Sequence, residues 1–311
     1  MFNVRKNMTF FEFLQTKFRL LKTISRYRNA FSRYRNAYKN YMWVIYRILR
    51  NKYPIDVILK NGEIRTLKNV IEVHDTSDGL YKFYHLENNR VIISMNGKEI
   101  QFFGGINNGD LRGVFLRDDY KFLPVDNKIV LDIGANIGDT AIYFAVNNAS
   151  KVIALEPYQN NFEIAKKNIS LNKLEQKIEI ILAGCSPKSG FINLEPDKGS
   201  IDAGLHEVKT GIKTPLLSLQ NLVEKYEIKS GILKMDCEGC EYDSILETAN
   251  EILQKFSHIQ IEYHYGYKNL KEKLESAGFS VKITKPNLYM SPEALPSKMF
   301  FGFLYATNRR K

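Results

Sequence analysis

The chain has 311 residues, of which 44% are hydrophobic and 25% are charged. This composition is typical of a globular protein with a substantial core, and it excludes a small disulfide-stapled scaffold, wholesale disorder and a fibrous repeat. The formal net charge of +11 suggests an anionic partner, such as nucleic acid or a lipid surface, if the charge is spread over the whole protein.

The positive charge is concentrated at one end of the chain. Residues 1–53 contain 13 Lys and Arg and a single acid, Glu12, so this segment carries a net charge of +12. The other 258 residues contain 32 basic and 33 acidic side chains and are close to neutral. The basic character therefore belongs to an N-terminal segment, and we expect the body of the protein to be neutral overall.

The basic segment has a helical pattern. Between residues 10 and 48, apolar or aromatic side chains recur about every 3.5 residues, which predicts one long amphipathic helix or a helix pair. The sequence SRYRNAF at 25–31 is repeated as SRYRNAY at 32–38, so Tyr27 and Tyr34 fall on one stripe with arginines beside them. This arrangement suits either an anionic membrane or RNA.

The three cysteines, Cys185, Cys237 and Cys240, are too few and too odd in number for a secreted disulfide framework, so we expect buried free thiols in a reducing compartment. The first residues do not form a signal peptide pattern, and no apolar run reaches the roughly 18 residues of a membrane span. The sequence therefore predicts a cytoplasmic protein, either free or peripheral on a membrane.

The pattern changes twice along the chain. Residues 54–124 contain short alternating runs separated by turn dipeptides such as Asn61-Gly62, which predicts a small antiparallel β subdomain. From 125–311, short apolar runs alternate with helical patterns, which predicts an α/β domain with a mostly parallel sheet. With residues 1–53 as a basic helical segment, the sequence predicts three parts.

The strands predicted for the α/β domain are mostly separated by helical patterns, and the last two are expected to pair antiparallel because no crossover helix fits between them. They are Ile129–Ile133, Lys151–Leu155, Ile178–Leu182, Gly231–Met235, Ile259–Ile261, Phe279–Thr284 and Met299–Ala306.

A glycine loop follows the first of these strands. Val130–Thr140 reads VLDIGANIGDT, in which Gly134 and Gly138 permit positive φ and close backbone approach. Asn136 stands where the dinucleotide fingerprint has its middle glycine, so a nucleoside ligand without a pyrophosphate fits better. A tight turn that serves packing alone is the alternative.

The second strand ends in an acid, Glu156, whose sequence spacing from the glycine loop is typical of a ribose-binding acid. Glu156 lies 22 positions beyond Gly134, near the spacing at which an acid reaches the hydroxyl groups of a ribose. Two carboxylate oxygens match the two hydroxyls of the diol. The combination of loop and acid therefore favours a nucleoside site.

These two motifs, together with LKMDCEGCEY at Leu233–Tyr242 and GFLYATN at Gly302–Asn308, resemble the FkbM family of class I S-adenosylmethionine-dependent methyltransferases. The resemblance implies a Rossmann-like sheet with an antiparallel last strand, and S-adenosylmethionine as cofactor. It further implies that Glu156 holds the ribose, that Ala183 borders the adenine, and that the cofactor is bound by Asp132, Gly134, Asn136, Gly138 and Asp236.

Acidic residues and a histidine follow the fourth and fifth strands. Asp236 and Glu238 are expected to face the methyl donor, where a carboxylate stabilises a cation or accepts a proton from the acceptor. His264 has the ordinary pKa that suits a general base near neutral pH. The sequence thus predicts methyl transfer to an acceptor oxygen, with Asp236, Glu238 and His264 as catalytic residues and His264 or a carboxylate as the base.

No metal is expected at this site, although a divalent ion held by Asp236, Glu262 and His264 is an alternative that the residue types allow. The C-x-x-C of Cys237 and Cys240 does not favour zinc, because zinc requires further ligands that the sequence does not supply.

The resemblance implies O-methylation of a sugar, glycolipid or secondary metabolite. The sequence near Asp236 also lacks the Asn/Asp-Pro-Pro-Tyr element that resembles amino-methylating enzymes, so oxygen is preferred over nitrogen. Two alternatives remain: an RNA methyltransferase that binds nucleic acid through its basic segment, and a non-catalytic module that docks on a membrane or a partner. We expect residues 1–53 to associate peripherally with an anionic membrane, and nucleic acid to be the less favoured partner.

Overall fold

A computed structural model describes residues 31–77, 84–87, 90–95, 97–105, 111–195, 205, 207–290 and 296–310. The described residues form two compact units, one from Phe31 to Gln101 and one from Phe102 to Arg310. None of the helices in these ranges has the length and apolar character needed to span a membrane.

The first unit combines the end of the basic segment with small antiparallel sheets. Residues 31–37 are helical. The other elements of the unit are α1 (Tyr41–Leu49), β1 (Ile55–Ile58), β2 (Ile64–Leu67), α2 (Val70–Ser77), β3 (Tyr84–Glu87), β4 (Arg90–Met95) and β5 (Lys98–Phe102). Strands β1 and β2 pair antiparallel across the predicted turn at Asn61-Gly62, and β3 pairs antiparallel with β4.

A break separates the two helical stretches of the basic segment. Tyr38 forms a β-bridge with Leu59, and the side chain of Asn40 accepts a hydrogen bond from the backbone of Ile58 at 2.8 Å. These contacts attach residues 38–40 to the first hairpin, so the helix cannot run through them. The sequence predicts either one long helix or a helix pair. The described part of the basic segment contains two helical stretches, and residues 1–30 lie outside the described residues.

The basic segment and the hairpin share one hydrophobic core. Tyr34 and Tyr38 of the second repeat copy are buried in it, and the Tyr34 hydroxyl bonds to the ring of His74 at 2.8 Å. Tyr27 of the first copy lies outside the described residues. The predicted boundaries at 53/54 and 124/125 follow changes in sequence pattern and stay a prediction.

The second unit is built on a mostly parallel sheet, as predicted. Its order from edge to edge is β14 (Phe279–Ile283), β16 (Pro296–Asn308), β13 (Phe256–Tyr263), β12 (Gly231–Met235), β6 (Ile129–Ile133), β7 (Lys151–Glu156) and β8 (Ile178–Leu182), with β15 (Asn287–Met290) paired to β16. Strand β16 runs antiparallel to both of its neighbours, β13 and β14, and the pairs from β13 to β8 are parallel. The fold prediction is thereby confirmed.

Helices and a small second sheet surround these strands. The helices are α3 (Asp139–Val146), α4 (Gln159–Leu171), α5 (Leu219–Lys225), α6 (Cys240–Glu247), α7 (Asn250–Leu253) and α8 (Lys268–Ser276), preceded by a π-helical turn at Arg112–Leu116. Strands β9 (Gly184–Cys185), β10 (Gly190–Leu194) and β11 (Ile212–Leu217) form the second sheet in the order β10-β11-β9. The nearly continuous apolar runs of the central strands are buried, which explains why they lack polar alternation.

The strand order reverses between β6 and β12. From β6 the chain continues to β7 on one side, whereas β12 lies on the other side, so the loops after β6 and β12 diverge at this point. Open parallel sheets bind ligands in the crevice that forms at such a reversal. The crossing of these loops is close: a Cβ atom on Gly134 would lie 1.8 Å from the carbonyl oxygen of Asp236.

We predict that Gly134→Ala destabilises the second unit. Gly134 has φ of +81°, and the added methyl group would collide with backbone that cannot move without disturbing β12, so we expect a loss of ~1–3 kcal/mol or more in the free energy of unfolding. Gly190→Ala is the matched control, because Gly190 has open space around its Cβ position. Denaturant titration of both variants tests this, and equal stabilities would contradict it.

Candidate active site

The glycine loop takes up left-handed backbone conformations between β6 and α3. Gly134, Asn136 and Gly138 have φ of +81°, +47° and +83°. Gly138 lies at the N-terminus of α3 and packs against Ala165, where a Cβ would come within 3.2 Å of the alanine Cβ. The glycines are thus required by close approach to Asp236 and Ala165 of this chain.

Glu156 ties this loop to the end of β7. One of its carboxylate oxygens accepts the backbone N–H of Asn136 at 2.8 Å, and the other accepts that of Tyr158 at 3.0 Å. Burial raises the pKa of Glu156 to about 7, although these hydrogen bonds and Lys234 act to lower it. Both carboxylate oxygens of Glu156 thus bind backbone next to the loop, and its predicted contact with a ribose stays a prediction.

A buried ion pair joins β6 to β12. The Lys234 ammonium lies 3.0 Å from Asp132 Oδ1 and donates to the carbonyl of Gly134 at 2.7 Å, while Thr140 donates to Asp132 Oδ2 at 2.6 Å. Burial alone would lower the pKa of Lys234, but Asp132 and Asp236 raise it above its ordinary value, so the lysine stays charged. The sequence analysis gave Lys234 no role, because a lysine in an apolar strand carries no motif of its own.

Glu241 organises the loop that follows β12. It is completely buried, and its two oxygens accept the backbone N–H groups of Cys237 at 2.8 Å and Gly239 at 2.7 Å. Burial raises the pKa of Glu241, but the neighbouring His264 and the backbone hydrogen bonds lower it by more, so it is an anion. Glu238, which lies between Cys237 and Gly239, has a left-handed backbone conformation with φ of +57°.

His264 lies among three carboxylates. Its Nδ1 is 3.2 Å from Glu241, and its Nε2 is 3.3 Å from Glu238 and 3.7 Å from Asp236. Burial would lower the pKa of His264, but these carboxylates raise it to about 10, so the ring is an imidazolium at neutral pH. A ring with this raised pKa favours donation from both nitrogens over proton abstraction, and the predicted catalytic role of His264 stays a prediction.

The protonation of His264 also affects the alternative in which the site holds a divalent metal ion. Ligand atoms of Asp236, Glu238 and His264 lie within 4.8 Å of one another, so the described residues bring Glu238, in place of the expected Glu262, into such a group. An imidazolium has no lone pair to offer a cation, and its N–H groups instead neutralise the carboxylates. The arrangement fits an ion cluster of two half-buried carboxylates around a buried histidine, and the expectation that no metal is used stays a prediction.

Cys237 and Cys240 form a disulfide, which corrects the prediction of free thiols. Cys240 begins α6, and the turn that precedes it brings the two Cα atoms to 5.5 Å, within the range that a disulfide bridges. Cys185 is free and buried, as predicted. The predicted reducing compartment stays a prediction.

A cavity of about 330 Å³ opens at the reversal of strand order, between the loops after β6 and β12. Three of the predicted site residues line it, Gly134, Asn136 and Asp236. The other described residues that line it are Arg112, Gly113, Val114, Arg117, Asp119, Tyr120, Asp139, Thr140, Lys234, Glu262 and Phe303.

The remaining predicted site residues are not among the described residues that line the cavity. Asp132, Glu238 and His264 belong to the ion pairs described above, and Glu156 accepts the backbone N–H of Asn136 in the loop. Gly138 packs on Ala165, and Ala183 is completely buried in the hydrophobic core of the sheet. Their predicted contacts with a cofactor stay predictions.

Glu262 is an acid of the cavity lining whose pKa is raised. It follows Ile261 in β13, and burial together with the nearby Asp236 carboxylate raises its pKa to about 8, against the lowering effect of His264. Tyr120 and Phe303 contribute aromatic walls beside it, with ring centroids 6.5 Å apart. A carboxyl group that titrates near neutral pH inside a cavity is a candidate for proton transfer.

Residues 132–281 match a family model described as methyltransferase FkbM domain, which confirms the resemblance over these residues. Over 57 residues, 18% of this chain, the sequence is 44% identical to tRNA (guanine(37)-N(1))-methyltransferase Trm5b of Methanocaldococcus jannaschii. That match spans 16% of the relative's length.

Several solved methyltransferase structures are similar to this chain. TrmK of M. capricolum in complex with S-adenosyl-homocysteine is 18% identical, with 62% of this chain and 68% of that chain covered and a TM-score of 0.39. The SAM-dependent methyltransferase from Agrobacterium tumefaciens is 10% identical, with 72% and 71% covered and a TM-score of 0.39.

We predict that replacing His264 alters stability in a pH-dependent way. The pKa of His264 rises from about 6.5 to about 10 on folding, so its contribution to stability is fully present below pH 6.5 and is lost as the pH rises through 10. His264→Gln leaves Glu241 buried without its cation and should cost ~3–5 kcal/mol at pH 6. The deficit should shrink towards pH 10.

Denaturant titrations across this pH range measure the difference between the two proteins. His258→Gln is the control, because burial lowers the pKa of His258 and its contribution runs in the opposite direction. A His264→Gln deficit that is constant with pH would show that the ring is neutral in the fold.

Proposed function

We propose that this chain, whose residues 132–281 match the methyltransferase FkbM domain, transfers a methyl group from S-adenosylmethionine to a hydroxyl group of a sugar, glycolipid or secondary metabolite. The observation that carries the proposal is the cavity at the reversal of strand order, which both acidic and basic side chains line. The glycine loop and Asp236 meet there, as the sequence motifs require of a cofactor site.

The cavity suits this cofactor in size and in charge. Its volume of about 330 Å³ lies within the range of sites for small molecules and cofactors. Asp139 and Asp236 line it, and their carboxylates complement the ammonium and sulfonium cations of S-adenosylmethionine. Arg112, Arg117 and Lys234 also line it and complement the carboxylate of the same molecule. Gly134 and Asn136 would hold the methionine end beside them. When bound, the cofactor supplies a methyl group made electrophilic by its positive sulfur.

Two sets of residues keep the carboxylates in place. Lys234 holds the loop carbonyl of Gly134 beside β12, so Asp236 and the glycine loop cannot separate. His264 lies 3.7 Å from Asp236 and bonds to the fully buried Glu241, which makes it a positioning residue for Asp236 in place of the base predicted from sequence. Orientation of this kind is a major source of rate acceleration in bimolecular transfers.

Glu262 is the base that the geometry favours. An acceptor hydroxyl loses its proton as its oxygen is methylated, and a carboxylate with a pKa of about 8 is basic enough to take that proton. Glu262 and Asp236 line the same cavity, so the proton would pass to a carboxylate beside the donor site. Acceptance of the proton converts Glu262 to its neutral form, which its burial favours.

RNA is a second candidate acceptor, favoured by the local identity to a tRNA methyltransferase. Against it, the Tyr34 and Tyr38 rings, which the sequence offers for base stacking, are buried in the core of their own unit. A protein that binds RNA through the basic segment would lose affinity for RNA steeply with added salt.

The third candidate is a non-catalytic docking module. A chain that fails to bind S-adenosylmethionine in calorimetry would favour it.

We predict a pH dependence of methyl transfer that Glu262 controls. The base must be deprotonated, so kcat/KM should rise with unit slope up to about pH 8 and then level off, following the pKa of Glu262. Glu262→Gln should lower kcat/KM by ~10²–10⁴-fold and abolish this rise. Asp236→Asn should lower the rate while retaining the rise, and the rise should move to lower pH because the Asp236 carboxylate no longer raises the pKa of Glu262.

Radiolabelled methyl transfer into hydroxylated acceptors, with transfer into RNA measured in parallel, provides the assay. Glu251→Gln removes an exposed acid and is the matched control, for which a wild-type profile is expected. A Glu262→Gln variant with the wild-type rate and profile would remove Glu262 from the mechanism. Transfer into RNA alone would replace the proposed acceptor.

We predict that chelation of divalent metal leaves methyl transfer unchanged. His264 is an imidazolium whose N–H groups face Glu241 and Glu238, so the cluster carries its own compensating cation. The measurement is the initial rate before and after treatment with a chelator. A loss of activity that magnesium or manganese restores would assign the cluster of Asp236, Glu238 and His264 to a metal instead.

A further inference from the structure

Helix α1 has two apolar faces. Val44 is completely buried, and Ile45 and Ile48 pack with it against the core of the first unit. On the other side, the side chains of four apolar or aromatic residues are exposed: Met42 by 61%, Trp43 by 51%, Tyr46 by 47% and Leu49 by 71%. We call these four residues the exposed apolar face.

The exposed apolar face is continuous along the helix. At 3.6 residues per turn, its four members fall within an arc of roughly 120°. The rings of Trp43 and Tyr46 stack, with centroids 5.6 Å apart and planes inclined by 25°. Single exposed apolar side chains are normal on a protein surface, whereas an ordered cluster of four on one helix marks an interaction site.

Arginines complete this surface. The guanidinium of Arg47 lies over the Trp43 ring at 5.7 Å, and that of Arg50 lies over the Tyr46 ring at 5.8 Å. From Phe31 to Pro54 the sequence has no acidic residue. It has six basic ones in the same stretch, Arg33, Arg35, Lys39, Arg47, Arg50 and Lys52.

We propose that the exposed apolar face docks the protein on an anionic lipid surface, with Met42 and Leu49 inserted among the acyl chains and the arginines at the headgroups. This interaction goes beyond methyl transfer and does not depend on it. Amphipathic rings with basic neighbours are the residues that occupy the interface between headgroups and hydrocarbon. A negatively charged leaflet complements a stretch that carries six cations and no anion.

The aliphatic members of the face distinguish lipid from RNA. Met42 and Leu49 are the most exposed of the four, and aliphatic side chains gain little from nucleobases, which bind by stacking on aromatic rings. Insertion into hydrocarbon, by contrast, buries their full apolar area. The surface that the sequence suggested for residues 1–53 as a whole thus has a defined centre on α1.

The chain carries its own probe for this contact, because Trp43 is its single tryptophan. Vesicles of phosphatidylcholine and phosphatidylglycerol in about a two-to-one ratio should shift the emission of the full chain to shorter wavelength, and brominated lipids should quench it. Phosphatidylcholine alone should produce a much smaller shift, and added salt should weaken binding.

Variants that retain Trp43 measure the apolar and the electrostatic contributions to vesicle binding separately. Met42→Ser with Leu49→Ser should weaken vesicle binding by roughly tenfold or more. Arg50→Gln with Lys52→Gln should weaken vesicle binding by roughly tenfold, and only for vesicles that contain phosphatidylglycerol. Ile64→Ser and Phe191→Ser, which remove exposed apolar side chains elsewhere, should bind as the wild type does.

Thermal unfolding of each variant verifies that the fold is retained. If the variant with Met42→Ser and Leu49→Ser unfolds, the variant with Arg50→Gln and Lys52→Gln still tests the proposal, because it replaces exposed side chains only. Three outcomes would overturn the proposal. Emission unchanged by either vesicle would exclude lipid contact. If single-stranded RNA changes the Trp43 emission and vesicles do not, the exposed apolar face binds nucleic acid. If the Trp43 emission changes only with protein concentration, the exposed apolar face binds a second copy of the chain.

Discussion

The close crossing of Gly134 over the Asp236 carbonyl is the constraint on which the site depends. It brings the loop after β6 against the end of β12 at the reversal of strand order, and no side chain larger than hydrogen fits between them. Lys234 reinforces the crossing, because its ammonium group bonds to the Gly134 carbonyl and pairs with Asp132. The cavity exists where these two loops then turn away from each other.

Charge compensation decides what each acid of the site can do. His264 and Glu241 neutralise one another in the interior, which leaves the histidine protonated and the glutamate an anion. Burial and the neighbouring Asp236 raise the pKa of Glu262 to about 8, although His264 and Lys234 act to lower it. These environments differ in their consequences: the ion-paired residues position the loop, and Glu262 is suited to move a proton.

The first unit shows how one short helix can serve two roles. Val44 and its neighbours complete a core with the β1–β2 hairpin, which fixes α1 in place. Because that core occupies only one side of the helix, Trp43 and Tyr46 are presented on the other side. The positive charge of the segment is thereby attached to a folded unit and is displayed from a defined surface.

Apolar periodicity and motif spacing are local properties of a chain, and they predict the succession of the main-sheet strands along the sequence, the glycine loop after β6 and the Leu233–Tyr242 element. Asp236, which the sequence predicts to face a cofactor, lies in the lining of the cavity. The raised pKa of His264, the disulfide between Cys237 and Cys240 and the exposed face of α1 emerge only in the folded protein. Protonation and exposure depend on residues distant in sequence, since desolvation and neighbouring charges arise only when the chain has folded.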